Sequence, residues 1–106
     1  MKKQHFPTSF GVIGLGRFGT ALVQTLAEAG KEVIAVDKDE AKVKAVRKYT
    51  DFAFVIETLS EESLEETGIQ NCQTVTICIG EKVDVSVLTT MMVIKMGVPH
   101  VISKAN

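Results

Sequence analysis

Phe10-Gly11-Val12-Ile13-Gly14-Leu15-Gly16-Arg17-Phe18-Gly19 is the stretch that decides the fold. Residues 10–14 form a short apolar run ending in glycine, the composition of a buried strand. From Arg17 onward the period changes. Phe18, Ala21, Leu22, Thr25, Leu26 and Ala29 recur at the spacing of one helical face, and Gly30 ends the pattern. A Gly-x-Gly-x-x-Gly spacing alone is a weak signal; between a strand and a helix it acquires a geometry. Gly14 permits the tight turn, Gly16 lets backbone approach a pyrophosphate, and Gly19 lets the helix lie close to the sheet. The helix start then offers free N–H groups and a positive dipole end to phosphate.

Working outward, residues 32–37 (Glu-Val-Ile-Ala-Val-Asp) read as a second buried strand. It closes on Asp37, 18 residues past Gly19, where a carboxylate accepts hydrogen bonds from ribose hydroxyls. The same charge repels a 2′-phosphate and disfavours NADP, an exclusion that Lys38 softens. Asp39 is placed to cap a helix over about 40–48, with Ala41, Val43, Ala45 and Val46 on its apolar side. Residues 53–56 read as a third strand, and Ser60-Glu61-Glu62-Ser63 as the start of a short helix stopping at Gly68. Residues 74–79 form a fourth strand, with Ile79 and Gly80 at its carboxyl end. A long helix follows over 82–96, and Pro99 leads into a last strand at 100–102. Strands alternating with helices, and apolar on both faces, predict an α/β fold: a Rossmann-type doubly wound parallel sheet with helices on both faces. One domain is expected over 1–106, with residues 1–8 as a loose leader.

Composition narrows the function. The chain has 12 basic and 13 acidic residues, net charge −1, so it lacks the basic surplus of a general nucleic-acid binder. No run of about 20 apolar residues is present, and Met1-Lys2-Lys3-Gln4-His5 has no apolar stretch behind it, so neither direct membrane insertion nor a signal peptide is expected. Two cysteines are too few for a disulfide scaffold. Cys78 reads as a buried strand thiol and Cys72 as a loop residue, in a reducing cytoplasm. His5, His100, Glu81 and Asp84 suggest no nucleophile–base pair, and no second domain to hold a substrate is expected within residues 1–106, which weighs against an NAD-dependent oxidoreductase fragment.

Two further features carry weight. Arg17 sits inside the glycine loop, where a guanidinium can bind phosphate oxygens bidentately and where the helix dipole otherwise opposes it; a solvated arginine at a helix start is the competing reading. Lys104, just past the last strand, reaches the same edge, with a solvated lysine as the alternative. The helix at 82–96 has two apolar stripes: Val85, Leu88, Thr89, Met92 and Met96, and Val83, Val87, Met91 and Ile94. A helix lying on a sheet needs one. The surplus points to burial against a second copy.

At residues 10–19, Val33-Ile34-Ala35-Val36-Asp37, Ile79-Gly80, Val87-Leu88-Thr89-Thr90 and Ser103-Lys104-Ala105-Asn106, the chain resembles the N-terminal nucleotide-binding domain of RCK (KTN, TrkA-N) proteins. Within that family it is most similar to the KtrA-type regulatory subunits of bacterial Ktr potassium uptake systems. The resemblance implies ATP or ADP as ligand, with NAD(H) as an alternative, held by Gly14, Leu15, Gly16, Arg17, Phe18, Gly19, Asp37, Lys38, Thr58, Leu59, Ile79, Gly80 and Lys104. It implies Arg17 on the terminal phosphates and Asp37 on the ribose. It further implies a homodimer or ring of dimers docked on the cytoplasmic face of a membrane potassium transporter or channel subunit, whose ion flux the nucleotide gates. Many members carry Gly-Asp-Ala-Thr after the third strand, the acid contacting adenine; here Glu57-Thr58-Leu59-Ser60 puts Thr58 at that position. Members usually continue into a C-terminal RCK domain, so the resemblance implies a trimmed N-terminal domain. An oligomerisation module with a vestigial pocket is the remaining alternative.

Overall fold

The computed structural model describes residues 6–80 and 83–104. Five parallel strands, β1 (Phe6–Ile13), β2 (Glu32–Asp37), β3 (Ala53–Val55), β4 (Cys72–Ile77) and β5 (His100–Ser103), form one sheet in the order β3-β2-β1-β4-β5. Four helices connect them: α1 (Arg17–Glu28), α2 (Glu40–Val46), α3 (Glu61–Thr67) and α4 (Val83–Lys95). Side chains alternate across the central strands, so each strand feeds two cores. Val12, Val33 and Ala35 pack with Val23 of α1 and Val43 and Val46 of α2. Ile13, Val36, Val75 and Ile77 pack with Leu64 of α3 and Val93 and Met96 at the α4 end. The sheet is therefore doubly wound, with α1 and α2 on one face and α3 and α4 on the other. The chain leaves β1 in one direction and crosses back to β4 on the other side, so a crevice opens at the carboxyl ends of β1 and β4.

The glycine turn is set by backbone contacts. Gly14 has φ +102, and a Cβ there would stand 2.7 Å from the Cys78 carbonyl oxygen. At Gly19 a Cβ would overlap the Gly14 carbonyl oxygen. Both flanks of the turn are tied down, by the Gly14 N–H donating to Val36 O at 2.8 Å and the Cys78 N–H donating to Ile13 O at 2.7 Å. Because Gly19 must face the strand, the buried line of α1 runs through Gly19 and Val23, with Leu22 and Leu26 beside it. Phe18, Ala21 and Thr25, expected on that face, are turned to the surface.

Other boundaries also move. β1 starts at Phe6, within the stretch expected to be a leader, and residues 1–5 lie outside the described residues. Cys72 is the first residue of β4 and is buried, whereas Cys78 lies just beyond the strand and is half-buried. A single 3₁₀ turn at Ile69–Asn71 delivers the chain into β4 early, which explains both shifts. α2 ends at Val46 and buries Val43 and Val46, leaving Ala41 and Ala45 exposed. β5, an edge strand, is apolar and covered on one side only: Val101 joins the core while Ile102 is 54% exposed. The caps of α2 and α3 are as expected. Asp39 accepts the Ala41 N–H at 2.9 Å, and Ser60 and Ser63 form a reciprocal capping box.

Two outcomes follow from this packing. Gly19→Ala forces α1 away from β1 and should cost about 1–3 kcal/mol of unfolding free energy in urea; a change below about 0.5 kcal/mol would refute the close-approach account. Burial, and after it the Glu32 carboxylate, push the Cys72 thiol up to about 12. An unfolded thiol ionises near pH ~8.5 while the folded one keeps its proton, so this group's contribution falls as pH rises from about 9 to 12, by up to ~1.4 kcal/mol per unit. The stability difference between the native chain and Cys72→Ala should shrink over that range, and a constant difference would contradict it.

Candidate functional site

The carboxyl edge of the sheet opens into a cleft of about 1280 Å³. All thirteen residues expected from the sequence line it: Gly14, Leu15, Gly16, Arg17, Phe18 and Gly19 from the turn, Asp37 and Lys38 after β2, Thr58 and Leu59 after β3, Ile79 and Gly80 after β4, and Lys104 after β5. The topology brings them together, because each lies just past the carboxyl end of a parallel strand. Of the α4 residues quoted for the resemblance, Leu88 and Thr89 also line the cleft.

The turn is braced by Asp37. Its Oδ2 accepts the Leu15 N–H at 2.7 Å and its Oδ1 accepts the Asp39 N–H at 2.8 Å. This fastens the end of β2 to the glycine loop. A carboxylate has about four acceptor positions, so two remain for hydroxyl donors in the cleft. The Thr20 hydroxyl donates to Leu15 O at 3.0 Å and fixes the other flank of the loop.

The start of α1 differs from those of α2 and α3. Gly16 is its N-cap, no side chain caps it, and no acid lies in its first turn. Its orphan N–H groups point toward the cleft, as do those of any helix opening off a strand end. Gly16 itself is exposed, has φ −74, and has no atom within 4 Å of where a Cβ would be. Internal packing accounts for glycine at 14 and 19. It does not account for glycine at 16, where the space left by the missing side chain is cleft.

Five cationic side chains line the cleft (Arg17, Lys38, Lys42, Lys95 and Lys104) against three carboxylates (Asp37, Glu57 and Glu61). The balance is positive in a chain whose net charge is −1. Arg17 is exposed at the rim. The Lys104 ammonium stands 5.1 Å from the centroid of the Phe18 ring, a cation–π contact that joins β5 to the glycine turn. Lys95 pairs with Glu61 at 3.4 Å, bridging α4 to the start of α3 across the cleft; so exposed a pair adds little stability. Burial pushes the Cys78 thiol up to about 11, with Lys104 pulling the other way. Cys78 is therefore a neutral thiol at the cleft wall, not a nucleophile.

Among the charged and hydroxyl-bearing lining residues, Lys42, Glu57, Glu61, Thr89 and Lys95 were not anticipated as ligands from the sequence. Lys42, in the first turn after the β2 acid, carried a positional hint. Thr89 was quoted only within the segment that carries the resemblance and was otherwise counted among apolar positions of a helix. On α4 the side facing the core runs through Ser86, Thr89, Val93 and Met96. Leu88, expected on the sheet-facing stripe, is 61% exposed. Ser86 and Thr89 are buried in its place, with the Ser86 hydroxyl 3.3 Å from that of Ser103 in β5, and Val93 faces inward. Val83, Val87, Met91 and Ile94 are 51–76% exposed, so the second stripe does face outward. The expected start of this helix at residue 82 and the ending Ala105-Asn106 lie outside the described residues. Among the described residues no helix is long and apolar enough to cross a membrane, and no cluster of metal-binding side chains is present.

The sequence is similar to Ktr system potassium uptake protein C of Bacillus subtilis (strain 168), 39% identical over 105 residues that cover 99% of this chain and 45% of that protein. It is 38% identical to Ktr system potassium uptake protein A of the same organism, over 91% of this chain and 43% of the relative. The Vibrio alginolyticus potassium uptake protein A is 39% identical over 92% of this chain and 44% of its own length. The chain thus spans less than half the length of the curated relatives it matches. The TrkA-N domain family matches residues 10–106, taking in the glycine turn, Asp37 and every strand end that lines the cleft, and the chain belongs to that family.

Proposed function

We propose that this chain is the nucleotide-sensing module of a potassium uptake system. It binds an adenine nucleotide, ATP or ADP, with NAD(H) as the alternative, in the cleft at the glycine turn, and passes occupancy to a membrane transporter or channel subunit. The observation that carries the reading is Gly16: an exposed, uncapped helix start with no Cβ, opening on a cleft with a surplus of cations. That arrangement supports a multiply charged, phosphate-bearing ligand. Phosphate oxygens accept from the free N–H groups of α1, Arg17 neutralises the terminal phosphates, and Lys38, Lys42 and Lys104 supply further positive charge. The free acceptor positions of Asp37 suit ribose hydroxyls and disfavour a 2′-phosphate.

The relatives' names place them in Ktr potassium uptake, which supports a transporter partner, a cytoplasmic location and peripheral attachment through that partner. The outward apolar stripe of α4 supports assembly into a homodimer or ring of dimers. In this reading the chain binds and signals and performs no bond-breaking chemistry.

Calorimetric titration with ATP, ADP, NADH and cyclic di-AMP tests the proposal. Binding of ATP or ADP is expected, weakened about 10- to 100-fold in Arg17→Ala through loss of charge-assisted hydrogen bonds of about 1.5–3 kcal/mol. Gly16→Val should abolish binding while costing only the roughly 0.5–1 kcal/mol of an apolar N-cap in urea, since no internal contact opposes the added side chain. Absence of binding by every nucleotide would leave a vestigial pocket, and NADH-dependent reduction of a carbonyl substrate would restore the oxidoreductase reading. For assembly, sedimentation should give a dimer or larger species that Ile94→Glu, on the outward stripe and away from the cleft lining, dissociates. A strict monomer at high concentration would overturn that part.

A further inference from the structure

Thr89 is the anomaly of the cleft. It is 1% exposed, and its Oγ1 has no hydrogen-bond partner among the described residues. A buried hydroxyl in a helix ordinarily donates to the carbonyl four residues back. Its neighbour Thr90 does so, to Ser86 O at 2.7 Å. Thr89 forgoes that bond and instead lines the cleft. A buried polar group without a partner is destabilising, and apolar packing at the same volume would remove the cost. The position therefore bears a hydroxyl that the free fold does not use.

The surroundings indicate what would use it. Thr89 belongs to the α4 wall of the cleft, together with Val85 and Met92 on the same helical face. Opposite are Ile56 and Leu59 at the end of β3 and the start of α3, with Ile79 at the end of β4. Apart from the Lys95–Glu61 pair, these residues are apolar, in contrast to the cations around Arg17. A flat heteroaromatic ring matches them: its faces meet Leu59, Ile79 and Met92, and its edge carries nitrogens that need a hydrogen bond. Met92, unbranched and half-buried, can adjust to admit such a ring.

We propose that the Thr89 hydroxyl reads the base of the bound nucleotide, hydrogen-bonding a ring-edge nitrogen of a purine seated between Leu59, Ile79 and α4. This rests on the nucleotide reading above and adds to it a base-recognition residue on the helix whose other side is exposed and apolar. Because a hydroxyl both donates and accepts, it can serve either a ring nitrogen or an exocyclic amine.

The test compares ADP with pyrophosphate, which has the charged half and no base, in the native chain, Thr89→Val and Thr89→Ser. The Val variant keeps the shape and loses the hydroxyl. Its ADP affinity should fall roughly 5- to 50-fold, its pyrophosphate affinity should stay within about 2-fold, and its melting temperature without ligand should be unchanged or higher, since an unpaired polar group is removed. The Ser variant should retain ADP affinity within about 3-fold. In the native chain, the Thr89 methyl resonance should shift on adding ADP and not pyrophosphate, a readout independent of how the variants fold. Equal ADP affinity in the native chain and Thr89→Val, or an equal loss for both ligands, would overturn the assignment while leaving the nucleotide reading intact. Failure of ADP to bind the native chain at all would overturn both.

Discussion

Helix α1 lies so close to the end of β1 that only hydrogen fits at Gly19 against the carbonyl oxygen of Gly14. The rest of the site depends on that contact. It turns α1 so that Val23 enters the core and Arg17 and Phe18 face outward. It also points the uncapped start of the helix at the crevice between β1 and β4. Close backbone packing of this kind has no flexible side chain to absorb an error, so the geometry is held within narrow limits. Asp37 completes the arrangement by fastening the loop to β2 through the Leu15 N–H. The acid thus has a structural duty in the free protein besides any it has toward a ligand.

The cleft divides by chemistry. At the glycine turn it offers N–H donors and cations; toward α4 it is mainly apolar, with one buried hydroxyl and the exposed Lys95–Glu61 pair. Polarity changes along its length as it does along a nucleotide. The same parallel sheet accounts for both lobes. Strand ends that emerge side by side deliver short loops from β1, β2, β3 and β4 to one edge, while α4 forms the far wall.

Helix α4 serves two surfaces at once. Its inner side carries Ser86, Thr89 and Val93 against the sheet, and its outer side carries Val83, Val87, Met91 and Ile94. Between them, Lys95 reaches Glu61 at the start of α3. A helix that is apolar nearly all round is suited to burial on both sides. A shift of α4 against the cleft would be felt on the outer surface, because side chains of one helix move as a unit.

Much of this was legible in the sequence. The change of period at Arg17 marked strand and helix, Asp39 and Ser60 marked helix starts, and Asp37 at its distance from Gly19 marked the opposite wall of the site. These are local signals, carried by neighbours along the chain: a cap needs its own first turn, and a glycine turn needs its own strand and helix. The rotation of α1 and α4, the early start of β4 at Cys72, the one-sided burial of β5 and the unpartnered Thr89 hydroxyl were not legible. Each depends on which residue from elsewhere arrives against it: Gly14 against Gly19, the 3₁₀ turn at Ile69–Asn71 against β1, and the ends of β3 and β4 against α4. Sequence alone determined that a glycine turn joins strand to helix and where its acid lies, because hydrogen bonding and backbone conformation there are local. Only tertiary packing decided which side chains share the cleft and which polar atom is left unpaired, because burial depends on residues far apart in the chain.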